Sequence, residues 1–152
     1  MRKYLFLFAS LNFVVLFSWG QNWNNWRGPN FNGSSNTTQS LPIKFDSNTL
    51  VKWEFELPGP SAGTPIVNGK FVFVSSIKVN DESSGKGDLL AFCFERESGK
   101  LLWRRNAGSG YRPGGEDGFD YQLDSRSNYA SPSPVTDGER VIFFFGNGDL
   151  VS

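Results

Sequence analysis

Leu89-Leu90-Ala91-Phe92-Cys93-Phe94 is apolar at every position. A strand with one wet face would alternate, so this run predicts a strand buried on both faces. Glu95 to Ser98 are polar and end in Gly99, which takes positive φ in a tight turn without a Cβ clash. Lys100 to Arg105 then reads as a returning antiparallel strand. Period-two alternation would put Leu101, Trp103 and Arg105 on one face and Lys100, Leu102 and Arg104 on the other. Upstream, Val51, Trp53, Phe55 and Leu57 alternate with Lys52, Glu54 and Glu56, predicting a one-sided strand over 50–57.

Thr64 to Asn68, an Asn68-Gly69 turn and Phe71 to Ser76 predict a hairpin. The same pattern returns from Ser133 without gaps, with Pro65 matched by Pro134, Gly69 by Gly138 and Val72 by Val141, an offset of 69. An internal repeat of this kind implies stacked copies of one supersecondary unit. The offset exceeds the ~40–50 residues of one four-stranded unit, so two insertions are expected, Asn80–Asp88 and Gly108–Asn128. The first unit is then Thr64–Asn68, Phe71–Ser76, Leu89–Phe94 and Lys100–Asn106.

The hairpin around Gly99 resembles the repeat signature of PQQ-like (quinoprotein-type) β-propellers, Ala-x-Asp-x-x-Thr-Gly-x-x-x-Trp. Cys93, Glu95 and Ser98 stand at the Ala, Asp and Thr positions, while Gly99 and Trp103 match outright. The [ST]-Pro-[IV]-x-x-Gly core at Thr64 and again at Ser133 is similar to the second half of that signature. Trp26-Arg27-Gly28-Pro29, a glycine at Gly33 and then Leu41-Pro42 resemble the opening of exported members. The resemblance implies an all-β fold, a partial β-propeller of four-stranded antiparallel blades. Its parts would be an N-terminal extended arm at 21–49, a closing strand at 50–57, blade one at 64–106, an insertion loop at 108–128 and the start of blade two at 131–152. It further implies that Trp53 and Trp103 dock between blades, with Gly69, Gly99 and Gly138 closing the hairpins. A closed propeller has at least four blades, so further repeats are expected beyond Ser152.

Composition agrees with a folded all-β chain, being 16% aromatic with 17 Gly and 8 Pro. With 15 basic and 15 acidic residues, charge gives no argument for nucleic acid. The chain has no His and one Cys, which rules out histidine triads, histidine metal sites and an intramolecular disulfide within these residues. Met1-Arg2-Lys3, the apolar run Tyr4 to Phe17 and Ser18-Trp19-Gly20 predict a signal peptide over 1–20. The run is short of the roughly 20 residues of a bilayer span, so no stable membrane span is expected after cleavage. The protein would be periplasmic or extracellular. A lipoprotein is disfavoured because Cys93 is far from the cleavage point.

The Gly108–Asn128 segment is the candidate site, since function tends to sit on loops over a rigid scaffold. It carries Glu116, Asp117, Asp120 and Asp124 with Tyr111, Phe119 and Tyr121. A calcium site, a carbohydrate or peptide platform and a plain solvated loop all fit these residues, with Asp117, Asp120, Tyr121 and Asp124 as candidates. In the arm, Arg27 is expected to stack on a Trp and bond backbone carbonyls, with a functional role as the alternative. Quinoproteins of this fold hold pyrroloquinoline quinone and calcium, often beside a pair of adjacent cysteines, and no such pair is present. No cofactor is therefore expected. The resemblance points instead to the branch typified by an outer-membrane assembly scaffold, a non-catalytic module binding protein or glycan at the cell envelope. Two alternatives remain: a quinoprotein oxidoreductase with active residues beyond Ser152, and a glycan-binding module of an extracellular enzyme system.

Overall fold

The computed structural model describes residues 21–36, 38, 40, 42–44, 50–111 and 127–152. Among them the named elements are all β-strands. The first sheet runs β1 (Ile66–Asn68), β2 (Phe71–Asp81), β3 (Lys86–Glu95) and β4 (Leu101–Tyr111), each antiparallel to its neighbour in sequence. The second runs β5 (Val135–Thr136), β6 (Val141–Phe144) and β7 (Leu150–Val151), also antiparallel. The fold of the described residues is thus all-β.

The repeat is real in backbone pairing. Ile66 pairs with Phe73 and Val67 with Val72 in the first sheet. Val135 pairs with Ile142 and Thr136 with Val141 in the second, the same register shifted by the same offset. Gly69, Gly99 and Gly138 all have positive φ, at 55°, 70° and 101°, so each closes its hairpin as the turn chemistry requires. In the second sheet Asp137 Oδ1 accepts the amides of Glu139 and Arg140, and these bonds hold its carboxyl below the usual range.

Two expectations need correction. Asn80–Asp88 is not an insertion between strands, because β2 and β3 run on through it, pairing as far as Asp81 with Lys86. The tip is an Asx turn in which Asp81 accepts the Ser83 amide at 2.9 Å and the Ser83 and Ser84 hydroxyls. Those bonds lower the Asp81 carboxyl to about 2. Likewise β4 continues to Tyr111, opposite Lys86, so the 108–128 segment begins as strand. Polar, glycine-containing sequence masked both extensions, since a hairpin that reaches beyond the core needs no apolar face.

The second correction concerns faces. Trp103 stands opposite Cys93 but Leu101 stands opposite Phe94, with a register shift between them. Cys93 and Phe94 point to opposite sides of β3, so Leu101 and Trp103 do too. A bulge at Leu102 inserts the extra residue and breaks the alternation.

The 50–57 stretch, expected as a closing strand whose partners belong to a later blade, carries no strand pairing among the described residues. It crosses the first sheet as a strap, with Trp53 and Leu57 packed on buried Val74, Leu90, Phe92 and Phe94. The Phe55 ring lies 4.6 Å from that of Phe94. The alternation correctly marked one apolar side. It could not say whether the backbone had a ladder partner, because side-chain burial and main-chain pairing are independent.

The opposite face of the first sheet meets the second sheet. Ile66, Phe73, Ile77, Leu89, Ala91 and Cys93 form one buried cluster with Ala130, Phe143 and Phe145. Trp103 is wedged between sheets, 6.0 Å from Phe73 and 6.3 Å from Phe143 by ring centroids. The double-sided burial expected of Leu89–Phe94 is therefore met by a strap on one side and a sheet on the other. Adjacent buried serines fasten both layers: Ser75 donates to Ala130 O at 2.8 Å and Ser76 to Gly59 O at 2.8 Å.

Cys93 sits in this core and desolvation pushes its thiol up to about 11. It should be inert to a disulfide reagent at pH 8 in the native state and react once urea unfolds the sheets. Rapid native labelling would mean that the two sheets part readily. The strap gives a second expectation. A Cβ at Gly99 would come within 2.5 Å of the Trp53 ring, whereas one at Gly138 would meet open space. Gly138→Ala should cost about 1–2 kcal/mol from positive φ alone. Gly99→Ala should cost about 1–3 kcal/mol more through the clash. Urea unfolding of the two variants measures the difference, and equal losses would show that the strap simply moves aside.

Candidate functional site

Asp117, Asp120, Tyr121 and Asp124, with Glu116 and Phe119, lie outside the described residues. The two ends of their segment do not. The Tyr129 amide donates to Tyr111 O at 3.1 Å, and the two rings meet edge to face at 5.7 Å. Asn128 is buried; its Oδ1 accepts the Ala130 amide and its Nδ2 donates to Pro60 O at 3.2 Å. The segment thus leaves β4 and returns to one anchored point beside Gly110 and Gly146, both packed on the Tyr129 ring.

Sequence reasoning missed what these anchors build. The segments entering β1 and β5 converge, and the Thr64 amide donates to Ser133 Oγ at 2.8 Å, a bond between equivalent positions of the repeat. Gly63 sits so close that a Cβ there would lie 3.2 Å from the carbonyl oxygens of Ser131 and Pro132. Around this junction is a pocket of about 520 Å³ lined by Ala62 and Thr64 from one copy, Ser131, Pro132 and Ser133 from the other, and Ser127. Trp26 of the arm completes it.

The arm is held in place by the repeat as well. Trp23 forms an antiparallel bridge with Val67, with N···O distances of 2.7 and 2.9 Å. The next residue, Asn24, accepts the amide of Thr136, the repeat equivalent of Val67, at 3.0 Å. Asn22 Oδ1 takes the Gly69 amide at 2.7 Å. One short segment therefore caps the free edges of β1 and β5 together. The Trp23 ring lies against Gly28, which turns the chain so that Trp26 faces the pocket while remaining 64% exposed. The Arg27 guanidinium carbon lies 5.5 Å from the Trp26 ring centroid.

At the other end of the sheet, Trp53 and Gly99 come together. The Trp53 indole N–H donates to Arg96 O at 2.8 Å while its ring covers Gly99. Lys52 pairs with Glu97, and the ammonium lowers the Glu97 carboxyl. Both charges are exposed, so the pair guides the strap rather than holding it. Trp103 occupies the interface between the two sheets, and Gly69 and Gly138 lie at the turn end nearest the arm.

Chemically, the pocket at the repeat junction offers hydroxyls and an indole. The carboxyls with lowered ionisation, Asp81, Glu97 and Asp137, are exposed and each is occupied in a turn or a surface pair. Among the described residues, no group of three or more His, Cys, Asp or Glu side chains could hold a metal ion. No helix among them is long and apolar enough to cross a membrane. The signal that could have found the pocket was present in the sequence. Thr64-Pro65 and Ser131-Pro132-Ser133-Pro134 both place a hydroxyl before a proline at the entry to a first strand. No family model, no curated protein and no solved structure matches the chain.

Proposed function

We propose that the chain belongs to an exported protein of the PQQ-like β-propeller type, a non-catalytic module that binds or scaffolds other macromolecules at the cell envelope. The observation that carries the reading is the layering about Trp53 and Trp103. Each tryptophan stands at the boundary between one layer and the next, Trp53 against the Gly99 turn and Trp103 against Phe143. Two sheets of one repeat, stacked face to face with the same hairpin register, are what successive blades would look like. The basic, apolar and small-residue pattern of 1–20 supports export.

The binding role follows from the chemistry at hand. Poised acids and bases in enzymes have ionisation shifted by burial or by a charged neighbour in a cleft. The shifted carboxyls among the described residues are solvent-facing turn caps and a surface ion pair. A concave site of hydroxyls and one indole favours recognition over bond cleavage.

The native exported protein, titrated with pyrroloquinoline quinone and calcium, should show no saturable change in quinone absorbance. It should also fail to reduce an electron-acceptor dye with alcohols or aldose sugars. Stoichiometric, calcium-dependent quinone binding would replace this reading with the oxidoreductase one.

A further inference from the structure

We propose that the pocket beside Trp26 binds a neutral saccharide, seating one pyranose ring of a glycan against the indole and the hydroxyls around it. The proposal rests on the pocket and not on the propeller reading.

The lining decides the ligand class. Trp26, Ala62, Pro132, Thr64, Ser131 and Ser133 supply one aromatic plate, two small apolar surfaces and three hydroxyls, and among the described residues no charged side chain lines the pocket. A phosphate or carboxylate ligand would meet no cation among those lining residues, and Arg27 is already engaged on the Trp26 ring. A purely apolar ligand would strand the hydroxyls without partners. A pyranose has the matching alternation, C–H groups on its faces and hydroxyls around its rim.

The hydroxyls are set in the needed state. Ser131 Oγ already accepts the Asn128 amide at 2.7 Å, and Ser133 Oγ accepts the Thr64 amide at 2.8 Å. With a lone pair used on a backbone amide, each hydroxyl keeps its hydrogen to donate and is fixed in place. A sugar oxygen, both acceptor and donor, suits such a pair. Fixed walls also mean that little ordering is left to be done on binding.

Trp26 is the plate. An indole 64% exposed, lying beside a polar concavity and carrying Arg27 on one face, offers a large apolar ring for the C–H face of a sugar. A peptide is the poorer occupant. An extended peptide would seek a free strand edge, and the nearby edges of β1 and β5 are already taken by Trp23 and Asn24.

The test uses the native exported protein and four neutral hexasaccharides: cellohexaose, xylohexaose, mannohexaose and chitohexaose. Tryptophan fluorescence and calorimetry should report saturable binding of at least one. Trp26→Ala should weaken it by about tenfold or more, a loss equivalent to one decade in Kd. Trp26→Phe should recover part of the affinity, and the paired Ser131→Ala and Ser133→Ala change should weaken it too. Because Trp26 is mostly exposed, circular dichroism melts of Trp26→Ala should match the parent, separating lost binding from lost folding. Binding by none of the four sugars, or equal binding by Trp26→Ala, overturns the proposal. So does saturation by a proline-rich peptide or a sulfated sugar with no response to the neutral ones.

Discussion

Everything in this protein follows from burying β3 on both sides. Its Leu89–Phe94 stretch, apolar at every position, cannot rest at a surface, and each of its faces must find a separate cover. One cover is the second sheet, delivered by the repeat, with Phe143 and Phe145 against Ala91 and Cys93. The other is the strap, with Trp53, Phe55 and Leu57 on Phe92 and Phe94. Take either cover away and a row of aromatic and aliphatic side chains meets water at about 25 cal/mol for each Å².

Apolar contact alone would let the layers slide, since hydrophobic attraction has no direction. Direction comes from polar groups placed inside the sandwich. Ser75 and Ser76, neighbours on β2 and therefore facing opposite ways, each donate to a carbonyl of the layer they face. The Trp53 indole N–H does the same at the turn end, to Arg96 O. A buried hydrogen bond adds modestly to stability, but its absence would leave a buried carbonyl unpaired, which is the larger effect. These contacts set the registration of the strap, the first sheet and the second.

Registration between the sheets is what creates the pocket. The two entry segments are equivalent in sequence, and stacking the sheets brings their equivalent residues, Thr64 and Ser133, into hydrogen-bonding contact. The arm reads the same equivalence from the edge side, with Trp23 on Val67 and Asn24 on Thr136. Trp26 is then carried over the junction. A recognition surface thus arises from duplication itself, with the concavity made by two copies of one turn and a single aromatic residue from outside the repeat.

Sequence alone determined the all-β class, the repeat with its offset, the three hairpin glycines and the double burial of Leu89–Phe94. Those features are local: they depend on side-chain periodicity and on which residue tolerates positive φ. The placement of Arg27 against a Trp ring was legible for the same reason, being a contact between neighbours. The bulge at Leu102 was not, because a bulge is a mismatch between two strands and has no signature in one of them. The polar extension of the β2–β3 hairpin was hidden too, since its pairing is carried by backbone groups that every residue has. Whether 50–57 would be a paired strand or a strap, and whether Trp26 would meet Ser131 and Ser133, depended on how separate elements stack. Only the tertiary structure decides that, because it is a property of the packed layers and of no single stretch of chain.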